Sequence, residues 1–472
     1  MKNSEAKKLV DNFIENTEET RKTRAMYFDK YNKFVRNNDQ WTIEEEPDEG
    51  KSKLTFNNSE DIIKVYKAKM FPRNSKIGTM EIGVKVFEKD KAKKEKYEKA
   101  ILDTYDNEKL NKKVLEQAED FLVGGSACFY YPQDPISKKA KIMSLDPRTV
   151  NIAFDDYGEI KQFAFQDTIS KKEKNQKNSK SWLQKFINIA INNLENKEQE
   201  ITRVTYWDKN QQIIMIGNQT TVRENKIGII PVSWIPNNPK AHKHEGESEA
   251  FTIAHLDKEI NFRYSDFSQR VKENTEPNLA VYSDKNTENI NKEDKGILSL
   301  GQDDKAEFLT LTENKEALDY IQKINNIIKD KKAINGAITG ELKSNISGLT
   351  MAYFFAPLLD QIGLKRIFWD DFFKELNTAI LSYTFEVKKY KTRPVFESVM
   401  VSDETTQIDN TIKLLQNNLI SYEDAIDELR GMENASEKLK EIIKEQEEYG
   451  EYLNNKKTDQ KAKSNEEQYI TL

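Results

Sequence analysis

Cysteine is nearly absent. Cys128 stands alone among 472 residues, which excludes an intramolecular disulfide and a multi-cysteine zinc site and suits a reducing compartment. Cys128 itself reads as a packed core residue. Long apolar runs are also missing: the longest, Met351 to Leu359 and Gly228 to Pro236, are about half of the ~20 residues a bilayer crossing needs. A soluble protein is expected. The opening MKNSEAKKLVDNFIENTEE has no apolar segment behind its basic residues, so no secretion signal is expected either. Excess positive charge is missing too, with 74 Lys+Arg against 80 Asp+Glu and a formal charge of −6. That balance argues against holding nucleic acid by general attraction, which requires clustered Lys and Arg.

Catalytic signatures are missing as well. Gly50-Lys51-Ser52 resembles the end of a phosphate-binding loop, but Glu45 stands where the first glycine belongs and an acidic run replaces the preceding strand; backbone amides cannot cradle phosphate there. His242, His244 and His255 with Glu245 and Glu247 lack metal-ligand spacing and read as solvated side chains at a helix entrance. The paired acids Asp155-Asp156, Asp303-Asp304 and Asp370-Asp371 read as turns and polar faces, because neighbours on a strand point to opposite sides. There is no Gly-x-Ser-x-Gly, no His-Glu-x-x-His and no cysteine with a positioned histidine. The expectation is a non-enzyme, with no catalytic residue, metal or cofactor.

What is present is charge and aromatic surface. Charged residues reach 33% against about 25% in ordinary chains, and apolar residues 37% against about 45–50%. Yet 23 Phe and 19 Tyr are too many for a disordered chain. At about 150 residues per domain, roughly three domains are expected. Periodicity predicts helices at 4–37, 58–69 and 89–122, the last stopped by Gly124 and Gly125. Short β-branched and aromatic segments follow at 126–131, 140–145, 150–154, 160–168, 201–207, 212–216 and 228–234, a small antiparallel unit interrupted by the polar insert 171–200. Beyond Gly246-Glu247-Ser248-Glu249, apolar positions Ile253, Leu256, Ile260, Tyr264, Phe267 and Val271 step by three and four, a narrow stripe for helix packing. Strands are expected at 278–282, 296–300 and 307–311, a second helix at 314–334, and a glycine-bordered loop with hinges at Gly336, Gly340 and Gly348. A long apolar helix from 349 to 389, carrying Phe354, Phe355, Leu358, Ile362, Ile367, Phe368, Phe372, Phe373, Leu376, Ile380 and Tyr383, reads as the centre of the core. A strand at 395–401, further helices and a disordered tail complete an α+β, predominantly helical chain.

This order, together with Gly125-Ser126-Ala127-Cys128-Phe129-Tyr130-Tyr131, Leu145-Asp146-Pro147-Arg148, Ile229-Ile230-Pro231-Val232, Gly246-Glu247-Ser248-Glu249 and Ser347-Gly348, resembles that of tailed-bacteriophage portal proteins with a C-terminal helical crown. The resemblance covers residues 5–450; the 171–200 insert departs from it. It implies a portal fold: wing 1–245 and 349–400, stem helices 246–275 and 313–337, clip 276–312, tunnel loop 338–348, crown 401–455, and tail 456–472. It also implies a ring of twelve copies at one capsid vertex of the virion, assembled in the host cytoplasm without a membrane. Double-stranded DNA would be packaged and ejected through this channel. Implied partners are the terminase large subunit, the head-tail adaptor, and the major capsid and scaffolding proteins. Lys343, Ser344 and Asn345 would contact DNA. Twelve helices of ~10 Å diameter side by side enclose an opening of roughly 28 Å, and the acidic balance would let DNA slide. The competing readings are a metal-dependent DNA-processing enzyme and another viral or cytoplasmic ring scaffold.

Overall fold

The computed structural model describes residues 3–36, 53–73, 79–170, 200–217, 219–275, 278–282, 305–309, 315–334, 348–387, 390–399, 404–422, 424–426 and 439–447. The chain divides into two units, Met1–Pro72 with Glu81–Phe396, and Arg73–Met80 with Glu397–Leu472.

The first unit opens with α1 (Asn3–Val35), α2 (Asn58–Met70), β1 (Ile82–Val86), α3 (Lys91–Asn107) and α4 (Leu110–Gly124). Asn57 caps α2 by accepting the Glu60 N–H at 3.1 Å, and Asp90 caps α3, as short polar side chains do at free helix amides. The single helix expected over 89–122 is two helices. Lys109 takes a left-handed conformation, φ 52°, which breaks the hydrogen-bond ladder without glycine or proline.

The β segments form two sheets rather than one unit. β2 (Ser126–Tyr130) lies between β3 (Met143–Leu145) and β9 (Val232–Pro236). The meander β4 (Val150–Phe154), β5 (Ile160–Ser170), β6 (Glu200–Asp208), β7 (Gln211–Ile216) and β8 (Gln219–Glu224) makes the second sheet, wholly antiparallel. α1 covers one face of this meander through Ala6, Val10 and Phe13 against Ala164, Val204, Tyr206, Ile213 and Met215. The small sheet packs Cys128, Tyr130 and Val232 on the other, against Val150, Ile152, Phe163 and Phe165. Cys128 is fully buried, and burial pushes its thiol up to about 12, so it is packed and unreactive.

Beyond β9 come α5 (Ala254–Thr275), the hairpin β10 (Asn278–Tyr282) and β11 (Lys305–Leu309), α6 (Lys315–Lys331), α7 (Gly348–Phe385) and β12 (Thr392–Phe396), which pairs with β1. The C-terminal half of α7 is the core. Trp369 is fully buried, with Phe71, Phe121, Phe129 and Phe372 at ring separations of 4.9 to 6.0 Å. Leu358 and Ile362 are buried as expected, but Phe354 and Ile367, also expected in the core, are 40% and 55% exposed. The strand expected at 395–401 lies upstream, where Val86, Ile82 and their neighbours supply its pairing partner.

In the second unit, α8 (Glu404–Gln416) carries the buried Thr411, and residues 439–447 are helical. The 171–199 insert, the 296–300 strand and the 456–472 tail lie outside the described residues.

Candidate functional site

Two glycine motifs meet where α4, β2 and the segment leading to α5 converge. Gly125, φ +88°, ends α4 in the left-handed region, and a Cβ there would lie 2.6 Å from the Gly246 carbonyl oxygen. The contact is laced by backbone. Asn237 N–H donates to Gly125 O at 2.8 Å, Glu247 N–H to Asn237 O at 2.6 Å, and Glu249 N–H to Leu122 O at 2.8 Å. Tyr27 adds its phenol oxygen, which accepts the Ser248 N–H at 3.0 Å.

This lacing delivers Glu249 into the interior, 2% exposed. Its carboxylate accepts from Lys332 Nζ at 2.8 Å, Asn237 Nδ2 at 3.0 Å and Asn238 Nδ2 at 2.8 Å, and from Lys365 Nζ. Lys365, 1% exposed, also donates to Asn237 Oδ1 at 2.9 Å and sits over the Tyr66 ring. Tyr66 donates its hydroxyl to Lys332 O at 2.8 Å. One carboxylate therefore joins the pre-α5 segment, the end of α6 and the middle of α7. The 335–347 segment lies between those two lysines in the chain.

Burial pushes the Glu249 carboxyl up, but the ammonium groups of Lys365 and Lys332 outweigh it and hold it at about 2, while burial lowers Lys365. The carboxyl therefore sits below its ordinary 4.5 in the folded chain. Its contribution is fully present above pH ~4.5 and is lost as pH falls toward ~2, on the order of 3 kcal/mol. Urea unfolding at pH 7, 4 and 3 is expected to show this loss, and Glu249→Gln is expected to flatten it; an equal slope in both proteins would assign it elsewhere.

On α5 the spacing of four is used twice. Asp257, Asn261 and Ser265 are buried, 0%, 0% and 1% exposed. They receive amides of the segment before α2 and of the first turn of α2 itself. Leu54 N–H donates to Ser265 Oγ at 2.9 Å, Phe56 N–H to Asn261 Oδ1 at 2.7 Å, and Ser59 N–H to Asp257 Oδ2 at 3.0 Å. From Leu54 to Phe56 two residues of extended chain span about 6.7 Å against about 6 Å for four of helix, so this step stays in register; the step on to Ser59 takes three residues as the chain turns into α2. Burial raises the Asp257 carboxyl despite the Ser59 and Asn58 hydrogen bonds. Phe56 stacks on Tyr264 at 4.0 Å beside this ladder.

α5 also packs against α6, whose Ile321, Ile324 and Ile328 are buried. The acids on the outer face of α5 are matched within the helix: Glu259 pairs with Arg263 at 2.8 Å and Asp266 with Arg270 at 3.3 Å. Phe262, Val271, Leu318, Tyr320 and Ile327 of this helix pair stay 40–47% exposed.

A family model described as "Phage portal protein, SPP1 Gp6-like" matches residues 11–452. The chain belongs to that portal protein family. No curated protein matches the chain.

Within this portal chain, the residues singled out at the start of α5 and along it divide, Ile253 lying just before the helix. Ile253 and Ile260 are buried, Leu256, Tyr264 and Phe267 are half-buried, and Val271 is 47% exposed. Lys343, Ser344, Asn345, Gly336 and Gly340 lie outside the described residues, and Gly348 is the first residue of α7. Several of the acids and histidines weighed for metal chemistry have other partners, and Asp303 and Asp304 lie outside the described residues. Asp155 accepts the Tyr157 and Glu159 amides, Asp370 and Asp371 take Lys374, Glu245 takes Arg24, and His244 stacks on Phe154. Sequence reading marked Gly246-Glu247-Ser248-Glu249 only as a helix head. Buried acceptors at Asp257, Asn261 and Ser265 were signalled by their spacing of four, which the parallel apolar stripe overshadowed.

Proposed function

We propose that copies of this chain close into a ring, twelve in number, that forms the DNA channel at a capsid vertex. α5 and α6 are the stem, the β10–β11 region 276–312 the clip that docks the terminase motor and later the head-tail adaptor, 338–348 the tunnel loop, and 401–455 the crown. Lys343, Ser344 and Asn345 on the loop face DNA. The observation that carries this reading is the set of apolar side chains left exposed on more than one side of α5 and α6: Phe262, Val271, Leu318, Tyr320 and Ile327. Apolar surface at this density calls for cover, and neighbouring copies supply it in a ring. The ion pairs along α5 support it too, because a balanced wall adds little salt-dependent hold on phosphate and lets a duplex slide.

Native mass measurement tests the reading. A closed ring near twelve copies without nucleotide turnover supports it, and a stable active monomer defeats it. Ile327→Glu, on an exposed helical surface, is expected to change unfolding stability by no more than about 0.5 kcal/mol while shifting the mass distribution to monomers. An unchanged ring would remove Ile327 from the subunit contact.

A further inference from the structure

The two-stranded ribbon of β1 and β12 has one face packed and one bare. Ile82, Val86, Thr392 and Pro394 are buried on the inner side. The register sets the alternate residues on the outer side, Gly83 opposite Val395 and Lys85 opposite Arg393. Phe87 N–H donates to Lys391 O at 3.0 Å, which adds one more pair to that face. No acid stands on it. Lys85, Lys391 and Arg393 are exposed, and among the described residues none of the three has a carboxylate partner. Lys391 Nζ lies over the Phe87 ring, 5.0 Å from its centroid. Like charges directly opposite each other on a sheet cost stability, so Lys85 and Arg393 gain nothing from facing each other. The surroundings deepen the imbalance: residues 82–99 and 390–396 carry nine Lys and Arg against four Asp and Glu, in a chain of net charge −6. Three of those acids accept from neutral donors. Glu88 takes the Tyr390 hydroxyl and the Lys89 N–H, Asp90 the Ala92 and Lys93 amides, and Glu98 the Val86 N–H at 2.8 Å.

We propose that the outer face of this ribbon is a second DNA contact, apart from the channel, where Lys85, Lys391 and Arg393 hold the phosphates of a duplex without regard to sequence. The occupant is argued from charge complementarity. Lysine and arginine side chains only donate hydrogen bonds, so the charged groups of the face are all donors, and a phosphate backbone is a row of acceptors. An anion seated between Lys85 and Arg393 also removes their repulsion. The ribbon differs in kind from α5, whose acids and arginines pair within the helix: a balanced wall lets a duplex slide, and an unbalanced face holds it. The proposal rests on the DNA-channel reading above, which brings a duplex to the chain.

A fluorescein-labelled random-sequence duplex is titrated with the full chain at several salt concentrations. Saturable binding that weakens with salt is expected. Lys391→Gln with Arg393→Gln removes two phosphate contacts and is expected to lower the salt slope by about 1.8 per bound chain, and the affinity at ~0.1 M salt by roughly sixtyfold. Lys85→Glu is expected to weaken binding by at least about eightfold while raising the melting temperature, because the new carboxylate faces Arg393. A purely structural role would not separate the two readouts. Binding that is unchanged in these variants, equally reduced by Lys226→Glu on the exposed 225–228 turn, or absent from the unaltered chain overturns the proposal. Native mass of the same variants keeps this apart from the ring reading. A ring that persists in Lys85→Glu while DNA binding falls supports the proposal. A ring that dissociates makes the face a contact between copies, which overturns the DNA contact and leaves the ring reading intact. A chain that stays monomeric yet binds the duplex through these residues supports the contact and defeats the ring.

Discussion

Glu249→Ala is expected to lower unfolding stability by about 3–5 kcal/mol, the cost of leaving a buried charge without its partner. The cost is high here because two ammonium groups, Lys332 and Lys365, lose one shared carboxylate at 6% and 1% exposure. Against a total of about 5–15 kcal/mol, the variant is expected to survive only near room temperature. Urea titration measures it, and a loss below about 1 kcal/mol would show that Asn237 and Asn238 suffice to hold Lys365 and that Lys332 does not need the carboxylate. Adding Lys332→Met and Lys365→Met to Glu249→Ala is expected to recover much of the loss, because apolar groups of similar volume replace buried ions at little cost.

Gly246→Ala is expected to be at least as damaging. The added methyl would overlap the Gly125 carbonyl oxygen and both the Asn237 amide nitrogen and its carbonyl oxygen, and all three are backbone atoms that cannot rotate away. The 125–237 and 237–247 hydrogen bonds must then open together. A loss above about 4 kcal/mol, or failure to recover folded protein, is the expected outcome. Gly363→Ala is the control: on α7 its Cβ meets open space, and helix propensity predicts a gain of about 0.5–1 kcal/mol. Comparable behaviour of the two variants would mean the 125–246 contact carries little.

The contrast between these two glycines marks what sequence alone could reach. Helical and strand periods announced α1, α2, β2, β5, β6, β7 and α5, because each buries one face of a regular element. β8, Gln219–Glu224, was missed: its mixed polar sequence has no apolar alternation. The α3–α4 break was missed because Lys109 takes its positive φ without a glycine signal. Trp369 escaped notice among many aromatics on α7, where only the packing of α2, α4 and β2 selects it as the centre. Of the candidate site, the Gly125 and Gly246 motifs were visible as separate punctuation. That they touch, and that Glu249 serves lysines 83 and 116 positions away, depends on tertiary placement, which local spacing does not encode.

Those separations govern how the chain comes into being. Tyr66 waits for Lys332 across 266 positions and Glu88 for Tyr390 across 302, and the partner strand of β1 is β12. At about 5–20 residues per second of synthesis, the N-terminal helices spend roughly 15 to 60 seconds on the ribosome with Phe71, Phe121 and Phe129 lacking Trp369. Closure thus waits until α7 and β12 have been made. An unfinished chain presents an unsealed aromatic seam, the kind of transiently exposed apolar surface on which chaperones act.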